Sequence, residues 1–253
     1  MSTTNILNND QLFLFSVKAV ILAGGLGTRL QPYTFFIPKP MLPLGNKPLL
    51  EYLVEWLIKS KKINEVIICV SYLHRSIEDY FEDGTRFGIN IKYSRSDRPL
   101  ATAGQLKTAA THLKEPFVCL YGDSVYEFPL DKMIENHFKD KAFISMALSR
   151  YKTNLKYGFI ELSDHENLLV SEWKEKPEIS GLINIGCYVF EPEFLDLIPI
   201  STSFGMDEAV RESIKSKKKV KSFIVEEGSF MDIGDKKSYL EAYKLYVKKL
   251  GKI

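Results

Sequence analysis

The sequence predicts an α/β protein with a doubly wound, mostly parallel central sheet. Three observations carry this expectation. Short apolar runs without alternation, Ala19–Ala23, Val66–Val70 and Phe117–Tyr121, suit strands buried on both faces of a parallel sheet. Between them, apolar residues recur at three- and four-residue steps, as in Leu49, Leu50, Leu53, Val54, Leu57 and Ile58, which is the spacing of a helix face. The first run also leads straight into Gly24, Gly25 and Gly27, where the backbone can turn sharply at the end of a strand. A strand, helix, strand rhythm of this kind belongs to right-handed βαβ units.

Composition sets the frame. A chain of 253 residues with 45% hydrophobic and 26% charged residues can bury a full core and fits one large domain better than two small ones. The net charge of +2 gives no support for general binding to nucleic acid or membrane surfaces, so any polyanion site is expected to be local. Cys69, Cys119 and Cys187 stand singly in apolar runs, without metal-ligand spacing, as reduced core residues of a cytoplasmic protein.

Residues 1–16 begin polar and end in Leu12-Phe13-Leu14-Phe15, with no basic leader and too few apolar residues for a signal or a span. They read as a loosely attached tail before a single domain over 17–253. The first central strand, Val17–Ala23, is followed by the helix Pro48–Lys59, the strand Val66–Val70, a short helix at Ser76–Phe81 and a strand at Ile89–Tyr93. A loop turns into a helix near Ala103. The buried strand Phe117–Tyr121 ends in Gly122-Asp123, and Leu130–Phe138 and Phe143–Leu148 close a first half over 17–150. The second half, 151–253, carries shorter strands at Tyr157–Glu161, Val170–Trp173 and Ile183–Phe190, expected to extend the same sheet. A helix follows at Met206–Ile214, then lysines 215, 217, 218, 219 and 221 as a solvated helix end. Asp235 is expected to cap the closing helix, Tyr239–Leu250.

The chemistry gathers where the first strand ends. Gly24, Gly25 and Gly27 let backbone N–H groups approach a ligand, and Thr28, Arg29 and Lys39 add hydroxyl and cationic donors. This is the chemistry of a polyphosphate site. Lys39 stands between Pro38 and Pro40, which stiffen the chain around it and suggest a positioned charge. The P-loop pattern fails for want of its lysine-serine ending, and the dinucleotide pattern begun at Gly25 meets Leu30 where its last glycine belongs. Asp123, at the tip of a central strand beside a glycine, is placed to hold a hard cation. Further on, Lys176, Glu175 and Asn184 add a cation and polar partners, although Glu175-Lys176-Pro177 read alone is also a common solvated surface turn.

The stretches L-A-G-G-L-G-T-R-L-Q-P-Y-T, P-K-P-M-L-P-L and K-P-L-L, with later E-K-P, N-I-G-C-Y-V-F and F-M-D-I-G, resemble the sugar-1-phosphate nucleotidylyltransferases. That family makes nucleoside-diphosphate sugars and pyrophosphate from a nucleoside triphosphate and a sugar 1-phosphate. The resemblance implies a Rossmann-like nucleotidyltransferase fold. It implies that Arg29, Lys39 and Asp123 are catalytic, and that Leu22, Ala23, Gly24, Gly25, Gly27, Thr28, Gly104 and Gln105 bind the nucleotide. Gly158, Glu175, Lys176 and Asn184 then bind the sugar phosphate, and Asp123 and Asp232 hold Mg²⁺. Chains of the family commonly start at the first strand, so translation is expected to begin at Val17. The family's β-helix tail is not expected, and a homo-oligomer stays open.

Departures from the pattern bear on substrate choice. Ala101 and Gln105 replace a glycine and an alanine, and Tyr121 stands where an asparagine is usual. Thr102-Ala103-Gly104 leans towards mannose-1-phosphate guanylyltransferase-like chains. Glucose-1-phosphate thymidylyl-, uridylyl- or cytidylyltransferase, transfer to a non-sugar acceptor such as phosphocholine, and a non-catalytic regulatory subunit remain as alternatives.

Overall fold

The computed structural model describes residues 16–164 and 166–251; the expectations about the tail and the translation start concern residues 1–15 and lie outside them. Strand β1 (Val17–Leu22) pairs in parallel with two partners. Its alternate side chains divide between two cores, Ala19 and Ile21 on one face, Val20 and Leu22 on the other. An unbroken apolar run is the consequence of that double burial.

The chain builds outward from β1. Residues β2 (Pro43–Leu44) and β3 (Lys47–Pro48) form a small ladder before helix α1 (Leu49–Ile58). Strand β4 (Ile63–Val70), helix α2 (His74–Phe81), strand β5 (Asn90–Arg95) and helix α3 (Ala101–Thr108) follow. Then come β6 (Phe117–Tyr121), β7 (Ser124–Tyr126), α4 (Leu130–Asp140) and β8 (Ile144–Asn154). The last part carries β9 (Phe159–Asp164), β10 (Leu169–Lys174), β11 (Glu178–Phe190), α5 (Met206–Lys215), β12 (Val220–Ile224), β13 (Phe230–Asp232) and α6 (Lys236–Lys249). The main sheet has seven strands in the order β12-β8-β11-β6-β1-β4-β5. Only β11 runs antiparallel to its neighbours there.

Helices α1, α2 and α4 cover one face and α3 and α5 the other, which gives the doubly wound arrangement. A third apolar cluster joins Leu30, Leu42, Leu44 and Leu49 to Ile233, Tyr239 and Tyr246. It clamps the segment after the glycine turn against α6, so the cationic residues there are carried on a packed base. Asp235 caps α6 as expected, its carboxylate accepting from the Ser238 N–H at 2.9 Å.

Strands β8 and β11 run well past their expected ends. From Ser149–Ile183 to Asn154–Glu178 they pair only with each other, with almost every side chain exposed, and they carry the two-stranded ladder of β9 and β10. The apolar pattern stops where burial stops, while backbone pairing continues into solvent. Of the shorter strands expected for the second half, Ile183–Phe190 does extend the main sheet as the end of β11, whereas the other two are β9 and β10, which form a sheet of their own on the projecting arm. The closing helix also begins earlier than its apolar pattern shows, because its first turn is polar and exposed.

Glu65 on β4 accepts from Lys92 on β5 at 2.7 Å and pairs with Lys18 on β1 at 3.0 Å, crossing three strands. Burial pushes its carboxyl up, but the hydrogen bonds from Lys92 and Lys18 more than offset this and hold it below the ordinary glutamate value. Its contribution to stability is therefore present at neutral pH and lost as pH falls through the lowered value. Glu65→Gln should cost about 1 kcal/mol at pH 7. In urea unfolding, that gap between wild type and variant should narrow as pH falls through the lowered glutamate value.

Candidate active site

After β1 the chain moves to β4 and β5 on one side, then returns to β6 on the other. The carboxyl ends of β1 and β6 therefore flank the point where the winding direction reverses, and in open α/β sheets that point leaves a crevice. A cavity of about 470 Å³ lies there, within the size range of small-molecule sites. Its wall includes Leu22, Ala23, Gly24, Gly25, Gly27 and Thr28, together with Lys39, Gln105 and Asp123. Sequence reasoning named all nine.

Gly24 is there for a steric reason. A Cβ on this residue would lie 1.8 Å from Nε2 of Gln105, so the glutamine amide occupies the space that any other side chain would need. Gln105 is only 8% exposed and sets its amide against the glycine turn, inside the cavity. Gly104 is turned away. Its N–H donates to the Phe204 carbonyl at 3.0 Å, and it is not among the lining residues.

Lys39 lies in a 3₁₀ turn, Lys39–Met41, entered from an extended Pro38. The residue is 7% exposed, and its Nζ donates to Oδ2 of Asp123 at 2.6 Å. A buried ammonium requires such a partner. Asp232 lies next to this pair through two backbone links: β13 pairs with β7, placing Asp232 opposite Ser124, and the Ile233 N–H donates to the Asp123 carbonyl at 3.1 Å. Desolvation and the Asp123 carboxylate push Asp232 above the ordinary aspartate value, while Lys39 and Arg29 pull it down. Arg29 is exposed and belongs to this charge cluster, outside the cavity wall.

Two carboxylates side by side, one already holding a cation, form a hard oxygen donor set of the sort that suits Mg²⁺, which binds through one or two carboxylates and substrate phosphates. Among the described residues no group of three or more His, Cys, Asp or Glu is arranged to hold a metal ion by itself.

The remaining expected residues lie elsewhere. Gly158, Glu175 and Lys176 are on the projecting arm, and Asn184 stands where β11 leaves it. None of the four lines the cavity. Lys176 is exposed in a left-handed turn, φ 45°, and Glu175 accepts from the Trp173 indole at 3.1 Å. The three cysteines are buried and free, and burial pushes the Cys69 thiol up to about 12.

A family described as nucleotidyl transferase matches residues 18–249. The D-glycero-alpha-D-manno-heptose 1-phosphate guanylyltransferase of Campylobacter jejuni is 35% identical over 223 residues, which are 88% of this chain and 97% of the relative. The enzyme of the same name from Aneurinibacillus thermoaerophilus is 36% identical, covering 90% and 97%. The chain belongs to the sugar-1-phosphate nucleotidylyltransferase family. A third member, the mannose-1-phosphate guanylyltransferase catalytic subunit beta of Xenopus tropicalis, is 34% identical over 91% of this chain and 65% of its own. In fold, HddC from Yersinia pseudotuberculosis complexed with GMP-PN superposes with a TM-score of 0.69 at 25% identity, covering 91% and 99%.

For a sugar-1-phosphate nucleotidylyltransferase, sequence reasoning left part of the cavity unassigned. Ser96, Arg98, Leu100, Thr102 and Tyr121 line it too. Arg98, a cation just before the A-T-A-G turn, offered a signal; its guanidinium donates to the Ser201 carbonyl at 2.5 Å. Gly24→Ala should keep the fold, since the displaced atom is the free end of the Gln105 side chain. Nucleotide affinity, measured by calorimetric titration, should fall roughly tenfold, ~1.4 kcal/mol.

Proposed function

We propose that this nucleotidylyltransferase moves a guanylyl group from GTP to the 1-phosphate of a manno-configured sugar, releasing pyrophosphate. The observation that carries the reading is the cavity at the reversal of winding, where a glycine turn, a buried lysine and an aspartate meet. The choice of guanine and of the sugar is supported by the names of the relatives at 34% to 36% identity. Guanylyl transfer agrees with the expectation drawn from Thr102-Ala103-Gly104. The heptose enzymes extend the acceptor from mannose to manno-configured sugars in general.

The reaction is an in-line displacement. A phosphate oxygen of the sugar 1-phosphate attacks the α-phosphorus, the bond from that phosphorus to the β-bridging oxygen breaks, and its electron pair leaves with pyrophosphate. Two anions must be brought together, so the protein's task is positioning and neutralisation of charge. The backbone of Gly24 to Thr28 and the charge of Arg29 face the triphosphate. Lys39, held rigid by its prolines and by packing, supplies a fixed positive charge at the transferring group. Lys176 takes the acceptor phosphate, and Glu175, Asn184 and the backbone at Gly158 meet its hydroxyls. Asp123 and Asp232 would hold Mg²⁺, which when bound neutralises phosphate charge. No side chain needs to act as nucleophile.

A pyrophosphate-release assay over a grid of nucleoside triphosphates and sugar 1-phosphates tests the reading, with GTP and mannose 1-phosphate or its heptose analogue expected to give the highest turnover. Release restricted to thymidine or uridine nucleotides would reject the guanylyl assignment. Asp123→Asn keeps a hydrogen-bond acceptor for Lys39 while removing the charge, and kcat should fall by about 10²–10³ with the far-ultraviolet circular dichroism unchanged. Chelation by EDTA should stop turnover and added Mg²⁺ restore it; Mg²⁺ should also tighten GTP binding in wild type but not in Asp123→Asn.

A further inference from the structure

The tyrosine at the end of β6 is the feature that the general reading leaves unused. Tyr121 lines the nucleotide cavity and stands where the family pattern has an asparagine. Its ring lies directly on Gly186 of β11: a Cβ there would come within 2.4 Å of the Tyr121 ring carbon Cδ2. Gly186 also has φ 73°, so both space and backbone favour glycine. The Tyr121 hydroxyl meets that of Tyr188 at 3.4 Å, with the Thr102 hydroxyl also beside it. Thr102 Oγ1 in turn accepts from the Met206 N–H at 2.9 Å, at the start of α5.

Tyr188 is 1% exposed and its ring stacks on Phe190, with centroids 5.1 Å apart and planes at 17°. Its hydroxyl is thus a fixed point on the edge of the core. That hydroxyl accepts from Nδ2 of Asn184, while Oδ1 of Asn184 accepts from the Gly186 N–H at 3.1 Å. The asparagine amide is pinned at both ends, which settles which end is oxygen. What remains to it is one N–H and one lone pair. A fixed donor beside a fixed acceptor is the complement of a pair of neighbouring sugar hydroxyls.

We infer that Tyr188 and Tyr121 are positioning residues that hold Asn184 for the hydroxyls of the acceptor sugar and tie it to the wall of the nucleotide cavity. The inference rests on the proposed function and deepens it. The ladder Tyr121–Tyr188–Asn184 runs across the carboxyl end of β6 to β11, with Thr102 of α3 at its near end. An asparagine at position 121 is too short to complete it, so the device belongs to the tyrosine found here. Loss of a rung leaves the exposed Asn184 free to rotate in water, and the acceptor site loses order while the glycine turn and the Lys39–Asp123 pair stay as they are.

The test is a double-mutant cycle on the whole chain, with GTP and mannose 1-phosphate as probes, or with whichever pair the grid shows to turn over. Tyr188→Phe should raise KM for the acceptor about threefold to tenfold, the worth of one hydrogen bond, with KM for the nucleotide and kcat unchanged within twofold. Tyr188→Phe in an Asn184→Ala background should add nothing, because the tyrosine acts through the asparagine. Tyr121→Phe, which keeps the ring on Gly186, should raise acceptor KM by a smaller factor and tests the ladder independently if Tyr188→Phe fails to fold. Parallel rises in both KM values, or additive effects of Tyr188→Phe and Asn184→Ala, would overturn the inference and leave a packing role only. An unshifted acceptor KM in both tyrosine variants would overturn it too, with the proposed function intact. Absence of pyrophosphate release by wild type over the whole grid would reject the function and this inference together.

Discussion

The ion pair between Lys39 and Asp123 is the interaction on which the site depends. Lys39 is 7% exposed, and an ammonium removed from water to that degree must be compensated by charge and hydrogen bonding. Asp123 provides both at 2.6 Å. The pair joins the segment after β1 to the tip of β6, two strands that neighbour each other in the sheet although they are far apart in sequence. It also leaves Asp232 close to a second carboxylate, which adds to desolvation in pushing that residue up. One buried contact thus sets the charge pattern of the whole crevice.

The rest of the fold can be read as support for that contact. β1 is apolar throughout because both its faces are covered, and its parallel partners β4 and β6 put the reversal of winding beside it. The small cluster of Leu30, Leu42, Leu44 and Tyr239 keeps the cation-bearing segment from moving away. Rigid packing under a charged turn is what electrostatic catalysis demands, since donors that are already oriented need no reorganisation when charge develops. The projecting arm is built on the opposite principle. It has paired backbone but almost no buried side chains, so it carries Lys176 and Glu175 on a ribbon held by backbone pairing and exposed ion pairs such as Lys174–Glu161 and Lys152–Glu178.

Much of the cavity wall was legible in the sequence. Nine of its expected residues line the cavity, because glycines after a buried strand and a proline-flanked lysine are local signals. Gly104 was expected to face a nucleotide and instead packs on the Phe204 segment. Its sequence neighbour Gln105 fills the space over Gly24. On this helix Ala101, Thr102 and Gln105 line the cavity, whereas Gly104, one position and about 100° from Gln105, does not. Arg98 was passed over for a different reason, and Tyr121 was noted only as a departure from the family pattern. Each reads as an ordinary residue until β5, α3 and β6 converge around the same cavity.

By itself the sequence determined the fold class, the family and the chemistry of the first turn, because burial on both faces, helical periodicity and glycine spacing are properties of short stretches. The tertiary structure alone decided the long-range pairings: Lys39 with Asp123 across 84 positions, Asp232 beside them through β13 and β7, and Tyr121 laid on Gly186. These contacts depend on which strands become neighbours. That order is fixed by the packing of two apolar cores around β1 and by no single stretch of the chain.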